Sequence, residues 1–320
     1  MISIIIPSYN SEKTIERNIK SLLKQDYEGK YEIIVVDKST DKTPEIVSKF
    51  PVKLIKQKSK GISAARNLGV KKAKGKIVAF IDSDCIAPKD WLTNLLKPFS
   101  EKDVVAVGGT YKTKNKESIV ARFTGYEIEQ RHERMKNLET IDFVGGFNCA
   151  YRKGIFLKSG GFNTSFAQSE DGELSYRISK TGKIKFNPSA YVYHYHPDSL
   201  TKFLEQRFWH AYWRTLVYRK HKDKALGDSY TSKSVFILKV LIPLSLLSGL
   251  SYLIYGLAFL ADVFLLVGFI LIAISFLLTI PTSRKIFVKD KTVGTLSPFI
   301  MISRDFVMDL GIIYGLIRSK

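Results

Sequence analysis

Cysteine is nearly absent from this chain: its 320 residues include two, Cys85 and Cys149, both in apolar contexts and neither at metal-ligand spacing from another donor. That scarcity speaks against a disulfide framework or a thiolate zinc cluster, and buried thiols in a reducing compartment are expected. No nucleic-acid-binding signature occurs, and the aromatic residues lack the spacing of a base-stacking sheet, which sets nucleic acid aside as a partner. The start also lacks a leader: Met1 runs at once into the strand-like I-S-I-I-I-P, without a basic n-region, a long apolar run or a cleavage site. The N-terminal domain is therefore expected on the cytoplasmic side. Acidic residues are in deficit, thirty against fifty Lys and Arg, for a formal charge of +20. Such an excess points to an anionic membrane surface or to phosphorylated substrates. Glutamine is scarce beside abundant Lys and Ile, a composition compatible with a thermophilic source. Long apolar runs are missing from the first two thirds and concentrated between Val235 and Ile280, so a soluble-type domain followed by membrane segments is expected.

In the first part, short apolar runs alternate with helical patterns. Ser3 to Ile6 reads as a buried strand followed by the loop Pro7-Ser8-Tyr9-Asn10. Ser11 to Lys24 carries Ile15, Ile19, Leu22 and Leu23 at helical spacing. Tyr31 to Val36 is a second strand ending at Asp37. After a helix, a strand, a Lys/Gly-rich loop and a helix, the run Ile77 to Ile81 stops at Asp82-Ser83-Asp84. Strands alternating with helices predict βαβ units and a mainly parallel sheet, whose ligands bind beyond the carboxyl ends of the strands. Two carboxylates one residue apart at such an end suit a shared divalent cation, which in turn can hold a diphosphate.

The ordered set P-S-Y-N, V-V-D-K-S-T-D, G-I-S-A-A-R-N-L-G, F-I-D-S-D, F-V-G-G-F-N-C-A-Y-R-K, S-G-G-F-N, S-E-D-G-E-L-S-Y-R and Y-V-Y-H-Y-H-P resembles family-2 glycosyltransferases of the GT-A fold over roughly residues 1–215. More distantly, the chain is similar to dolichyl-phosphate mannose synthases and cellulose-synthase-like enzymes. The resemblance implies that Pro7, Tyr9 and Asn10 line the base and ribose pocket of a nucleotide-sugar donor. Asp37 would bond the base or ribose, and Asp82 would face the ribose. Lys38 stands where the family more often has a second acid or an amide, which leaves the base open. Arg66 opens a helix, where it would approach the diphosphate or pair with an acid of the site. Asp84 would hold the metal, Mn²⁺ or Mg²⁺. Of the pair His194 and His196, His194 would be the third protein ligand beside the Asp-x-Asp acid, or a histidine packed at a strand end. Glu170-Asp171 begins a helical pattern. The resemblance makes Asp171 the general base for the acceptor hydroxyl, with Glu170 positioning it or contacting the acceptor. A base is needed for a hydroxyl acceptor and not for a phosphate, which favours a lipid-linked glycan over a bare polyprenyl phosphate.

Beyond the catalytic domain, taken as residues 1–199, the stretch 200–232 is aromatic and basic. Gln206, Arg207 and Trp209 stand where membrane polysaccharide synthases carry Gln-x-x-Arg-Trp. The altered spacing argues against processive synthesis and leaves two roles open, a helix on the membrane interface or contact with acceptor or diphosphate. Residues 233–281 hold two runs, Val235 to Leu257 and Ala261 to Ile280. Each matches the ~20 residues a helix needs to cross a bilayer. With basic flanks on both sides, they predict a hairpin whose ends face the cytoplasm. Residues 295–318 contain Arg304, Asp305 and Asp309 and read as an amphipathic interfacial helix or a third, protein-packed span, the first being favoured because mid-membrane charges are costly. Together these features predict an inverting, metal-dependent transferase moving a sugar from a UDP- or GDP-sugar to a dolichyl- or polyprenyl-linked glycan. A polyprenyl-phosphate sugar synthase and a polysaccharide synthase are the alternatives.

Overall fold

The structure, a computed structural model, describes residues 1–225, 227–231 and 261–318. They form two compact units, one of Met1–Asn115 with Glu127–His196, the other of Lys116–Tyr126 with Pro197–Lys320.

The first unit is built on a seven-stranded sheet of order β3-β2-β1-β4-β6-β5-β7. β1 (Ile2–Ser8) is buried throughout, as a central parallel strand covered on both faces must be. It runs parallel to β2 (Tyr31–Asp37) and to β4 (Ile77–Ile81), and β3 (Lys53–Lys56) extends the sheet beyond β2. β6 (Asn148–Arg152) is the reversed strand, antiparallel to β4 and to β5 (Val104–Thr113), while β7 (Lys183–His194) returns parallel to β5. The expected mainly parallel α/β architecture is present, and β1 and β4 deliver their carboxyl ends side by side. α1 (Ile15–Leu22) buries Ile15, Ile19 and Leu22 as its periodicity requires; Leu23 falls beyond the helix and is exposed. α2 (Thr43–Val47) follows β2, and α3 (Ile62–Lys72) starts from Gly61; α4 (Trp91–Leu96), α5 (Ile119–Met135) and α6 (Lys153–Lys158) come next in the chain, and α7 (Glu170–Ile178) starts after Ser169. The main core gathers Trp91, Leu92, Ile4, Ile6, Ile19 and Val192 between sheet and helices.

In the second unit, α8 (Leu200–Lys220) begins at Ser199, whose hydroxyl caps the amide of Lys202. The aromatic and basic stretch is thus helical. The expected first span, Val235 to Leu257, lies outside the described residues. The second falls within the helix Ala261–Lys289, of which Leu266–Lys289 is long and apolar enough to cross a membrane. The last helix, Lys291–Ile317, is capped by Asp290, which accepts from the amide of Val293 at 3.0 Å and from Arg122 Nε at 2.7 Å. Arg304 and Asp305 are buried and paired at 2.6 Å, so these charges are held inside the protein and not on a water-facing stripe. This helix packs tightly on α8: a Cβ at Gly311 would collide with the carbonyl oxygen of Phe208.

Candidate active site

The ends of β1, β2, β4 and β7 and the starts of α3 and α7 meet at the carboxyl edge of the sheet in the first unit. Beyond β1, Tyr9 is 68% exposed and Asn10 takes a left-handed backbone, φ 49°. Asn10 turns toward the loop after β2: its Oδ1 accepts from the amide of Thr40 at 2.9 Å and its own amide donates to Ser39 Oγ at 2.7 Å. Asp37 is buried, and its two oxygens accept from the amide and hydroxyl of Ser39 at 3.0 and 2.6 Å. Tyr9 and Asn10 therefore share one double loop with Ser39 and Thr40, and Asp37 is the last residue of β2 beneath it; Pro7, expected in the loop, is instead buried within β1, where it is paired in register with Val36. Lys38, in place of the usual second acid or amide, spans from that loop to the carbonyls of Lys58 and Ser59 at 2.7 and 2.9 Å.

Asp82 and Asp84 follow β4. The turn that carries them is fixed from α1, where Asn18 Nδ2 donates to the carbonyls of Asp82 and Cys85 at 3.0 and 2.8 Å. From the β1 loop, Ser11 Oγ reaches Ser83 Oγ at 2.8 Å. Arg66, on the first turns of α3, is buried and bridges two acids: Nη2 to Asp82 Oδ1 at 2.8 Å and Nη1 to Glu170 Oε1 at 2.6 Å. The guanidinium also lies over Phe162, 5.3 Å from the ring centroid. Of the two sequence expectations for Arg66, pairing with acids of the site is the one observed.

Glu170 and Asp171 stand at the start of α7, directly after Ser169 in left-handed conformation, φ 61°. Asp171 points its Oδ2 at the amide of Gly146, 3.0 Å away, and its Oδ1 at the amide of Gly172, 2.8 Å away. Gly146 has to be glycine, since a Cβ there would lie 2.7 Å from Arg66 Nη1. Burial, then repulsion from Asp171, pushes the Glu170 carboxyl up to about 7 against the pull of Arg66. Burial likewise raises Asp82, with Asp84 adding to it and Arg66 opposing. One guanidinium thus holds two desolvated carboxylates with two further acids nearby, a cluster suited to a cation and a diphosphate charge that redistributes.

Asp84 and His194 meet through an isolated antiparallel bridge, Ile86 to Tyr193, whose reciprocal N–H···O bonds are both 2.9 Å. His194 Nε2 lies 3.3 Å from Asp84 Oδ2. Burial works to raise the Asp84 carboxyl, but hydrogen bonding and charge from His194 outweigh it and hold the group below its ordinary value. Their spacing fits two donors on one ion, and a carboxylate with an imidazole matches Mn²⁺ or a similar divalent ion. Cys85 Sγ belongs to the same cluster, with ligand atoms within 4.8 Å. Burial raises its thiol well above the usual range, so it stays protonated and donates to Asp84 Oδ1 at 3.7 Å instead of offering a thiolate.

The structure thus brings Arg66, Asp82, Glu170 and Asp171 into one cluster and Asp84 with His194 into the adjoining one. Gln206, Arg207 and Trp209 lie on α8 in the other unit, Arg207 buried over the ring of Phe203 and Trp209 beside Tyr212. Other residues also build the site, among them His196, the second histidine of the pair from which the sequence favours His194, and Tyr111, which the sequence does not single out. His196 faces His194, Nδ1 to Nδ1 at 3.2 Å, and Tyr111 packs 4.6 Å from His194 while stacking on Phe147. Asn18 had a sequence signal, a polar residue on the apolar stripe of α1, whereas the backbone amide of Gly146 had none.

Comparison with known proteins places residues 3–160 in a match to the family described as Glycosyl transferase family 2. Glycosyltransferase AglE of Haloferax volcanii is 30% identical over 168 residues, 49% of this chain and 52% of that protein. The Escherichia coli protein named UDP-Glc:alpha-D-GlcNAc-diphosphoundecaprenol beta-1,3-glucosyltransferase WfgD is 34% identical over 145 residues, 43% of this chain and 56% of its own. The chain thus spans about half the length of these curated relatives. Among solved structures, the mannosyltransferase PcManGT from Pyrobaculum calidifontis, in complex with GDP-Man and Mn²⁺, superposes with a TM-score of 0.65 at 18% identity, over 100% of this chain and 88% of that one. The fold is GT-A-like, as the motif order implied.

Proposed function

From a chain that belongs, through its N-terminal domain, to the family-2 glycosyltransferases, we propose an inverting, metal-dependent transferase that moves a sugar from a nucleotide-diphosphate-sugar to a hydroxyl of a lipid-linked glycan. The observation that carries this reading is Asp171, held by the Gly146 amide and set beside the Glu170–Arg66–Asp82 bridge. An aspartate fixed by backbone N–H groups, one residue from an acid tied to the donor-side turn, has the position a base needs to take the acceptor's proton. Glu170 positions it through the bridge. A neutral hydroxyl requires such a base, whereas a lipid phosphate does not.

On the donor side, Tyr9, Asn10 and Asp37 would offer polar groups for base and ribose, and Asp82 would face the ribose. Asp84 and His194 would hold the divalent cation, which when bound supplies positive charge to the diphosphate leaving group. That PcManGT was solved with GDP-Man and Mn²⁺ supports the donor class and the ion. The name of WfgD, with a UDP-sugar donor and a sugar on diphosphoundecaprenol, supports a lipid-linked acceptor. The apolar helix Leu266–Lys289 supports anchoring to the membrane, with the catalytic unit on the cytoplasmic face where the basic residues concentrate.

The test is nucleotide release by purified full chain in detergent from a panel of UDP- and GDP-sugars. Mn²⁺ or Mg²⁺ is present, the acceptor is a lipid-linked saccharide or a bare polyprenyl phosphate, and Asp171→Asn runs in parallel. Turnover with the saccharide that the substitution removes is the expected result. Turnover with the bare phosphate that survives Asp171→Asn would replace this reading with a polyprenyl-phosphate sugar synthase.

A further inference from the structure

The lysines of the β5–β7 strand pair fall into two groups. At the start of β7, Lys183 is paired with Asp103 at 3.0 Å and Glu139 at 3.5 Å, and Lys185 with Glu101 at 3.6 Å. At the other end, Lys112 and Lys114 are exposed and, among the described residues, meet no carboxylate. They lie instead over tyrosine rings: Lys112 Nζ is 3.4 Å from the centroid of Tyr191, and Lys114 Nζ 5.6 Å from that of Tyr193. The two rings touch edge to face, with centroids 5.6 Å apart. One residue past His194, Tyr195 repeats the arrangement with exposed Arg17, whose guanidinium lies 5.4 Å from the ring and donates to its hydroxyl at 3.1 Å.

The chemistry of His194 and His196 leaves the alternate tyrosines of Y-V-Y-H-Y-H unexplained. Each is amphipathic, each carries a cation on its face, and among the described residues none of the three cations is paired with a carboxylate. Ring faces hold the cations in place while leaving their outward N–H groups for an anion. Tyrosine and lysine together are the residues that populate the boundary between water and lipid headgroups. We propose that Lys112, Lys114 and Arg17, on Tyr191, Tyr193 and Tyr195, form a docking surface for the phosphates of anionic phospholipid headgroups. This inference rests on the reading of the chain as membrane-anchored.

The test is lysine acetylation footprinting by mass spectrometry on the full chain in nanodiscs of phosphatidylcholine, with or without phosphatidylglycerol. Stable incorporation into pure phosphatidylcholine discs tests the anchoring on its own. With phosphatidylglycerol present, Lys112 and Lys114 should become protected by about fivefold each, as expected for lysines at an anionic surface. The protection should fade at high salt, while Lys183 stays unchanged. Equal labelling in the two lipids, in a protein that has incorporated, overturns the proposal. Protection gained in pure phosphatidylcholine on adding soluble geranyl diphosphate, and not from phosphatidylglycerol, overturns it too and assigns the surface to a diphosphate ligand. A Lys112→Glu/Lys114→Glu chain should lose the phosphatidylglycerol-dependent protection of its remaining neighbour Lys116 while keeping its incorporation.

Discussion

Replacing Arg66 with Met keeps the apolar stem of the side chain and removes the one cation that Asp82 and Glu170 share. Both acids are bonded to it at 2.8 and 2.6 Å, and the guanidinium is 2% exposed. Breaking a buried pair from one side costs about 3–5 kcal/mol, because the remaining charge is stranded. For a domain of this size that corresponds to a fall of roughly 6–20 °C in the apparent unfolding midpoint. The loss should depend on pH in a direction fixed by Glu170. Its carboxyl is raised from 4.5 to about 7 in the folded protein. Protonated Glu170 is therefore accommodated below pH 4.5, and that stability is lost as pH rises through about 7. Arg66→Met should accordingly be hurt more at pH 8 than at pH 5. Glu170→Gln alone should cost less than Arg66→Met, flatten the decline between those pH values, and restore part of the loss when combined with Arg66→Met. Thermal unfolding of the four proteins in detergent, followed by circular dichroism, measures all of this. An Arg66→Met protein as stable as the parent at pH 8, or a Glu170→Gln protein as damaged as Arg66→Met, would refute the charge-bridge argument.

Three further outcomes follow from the site. Asp171→Asn should lower transfer to a hydroxyl acceptor by about 10²–10⁴-fold, as loss of a general base does, with donor affinity by calorimetry unchanged. His194→Ala should raise the Mn²⁺ concentration for half-maximal donor binding by tenfold or more, on the order of a lost ligand's worth, and leave the fold intact; an unchanged metal titration would remove His194 from the ion's ligands. Gly146→Ala forces Arg66 aside and shifts the amide that holds Asp171, so a cost of about 1–3 kcal/mol in stability should accompany a larger loss in turnover.

The strands are legible because parallel strands covered on both faces leave near-continuous apolar runs, as Ile4 to Ile6 and Ile77 to Ile81 do. The acids were legible because each stands where such a run ends or a helix begins. What the sequence concealed is pairing between distant residues. Arg66 is 104 positions from Glu170, and nothing in its helix indicates whether it meets solvent, diphosphate or carboxylate. The Gly146 amide is a backbone donor and leaves no mark in side-chain chemistry. Leu23 was assigned to the apolar face of α1 because spacing alone cannot reveal that the helix stops at Leu22. The charges of the last helix, read as those of an interfacial helix or of a protein-packed third span, include the buried pair Arg304–Asp305, a burial that residue spacing does not reveal.

The Ile86–Tyr193 bridge also bears on how the molecule comes into being. It is the backbone link that sets Asp84 beside His194, and its two halves are synthesised far apart in time. A growing chain that has completed β1 to β4 already owns the Asp82 and Asp84 turn, yet lacks the strand that carries the imidazole. Closing so long a loop is entropically costly and slow. The Asp84–His194 pair is therefore one of the last features to form, and a partly made chain does not yet present it.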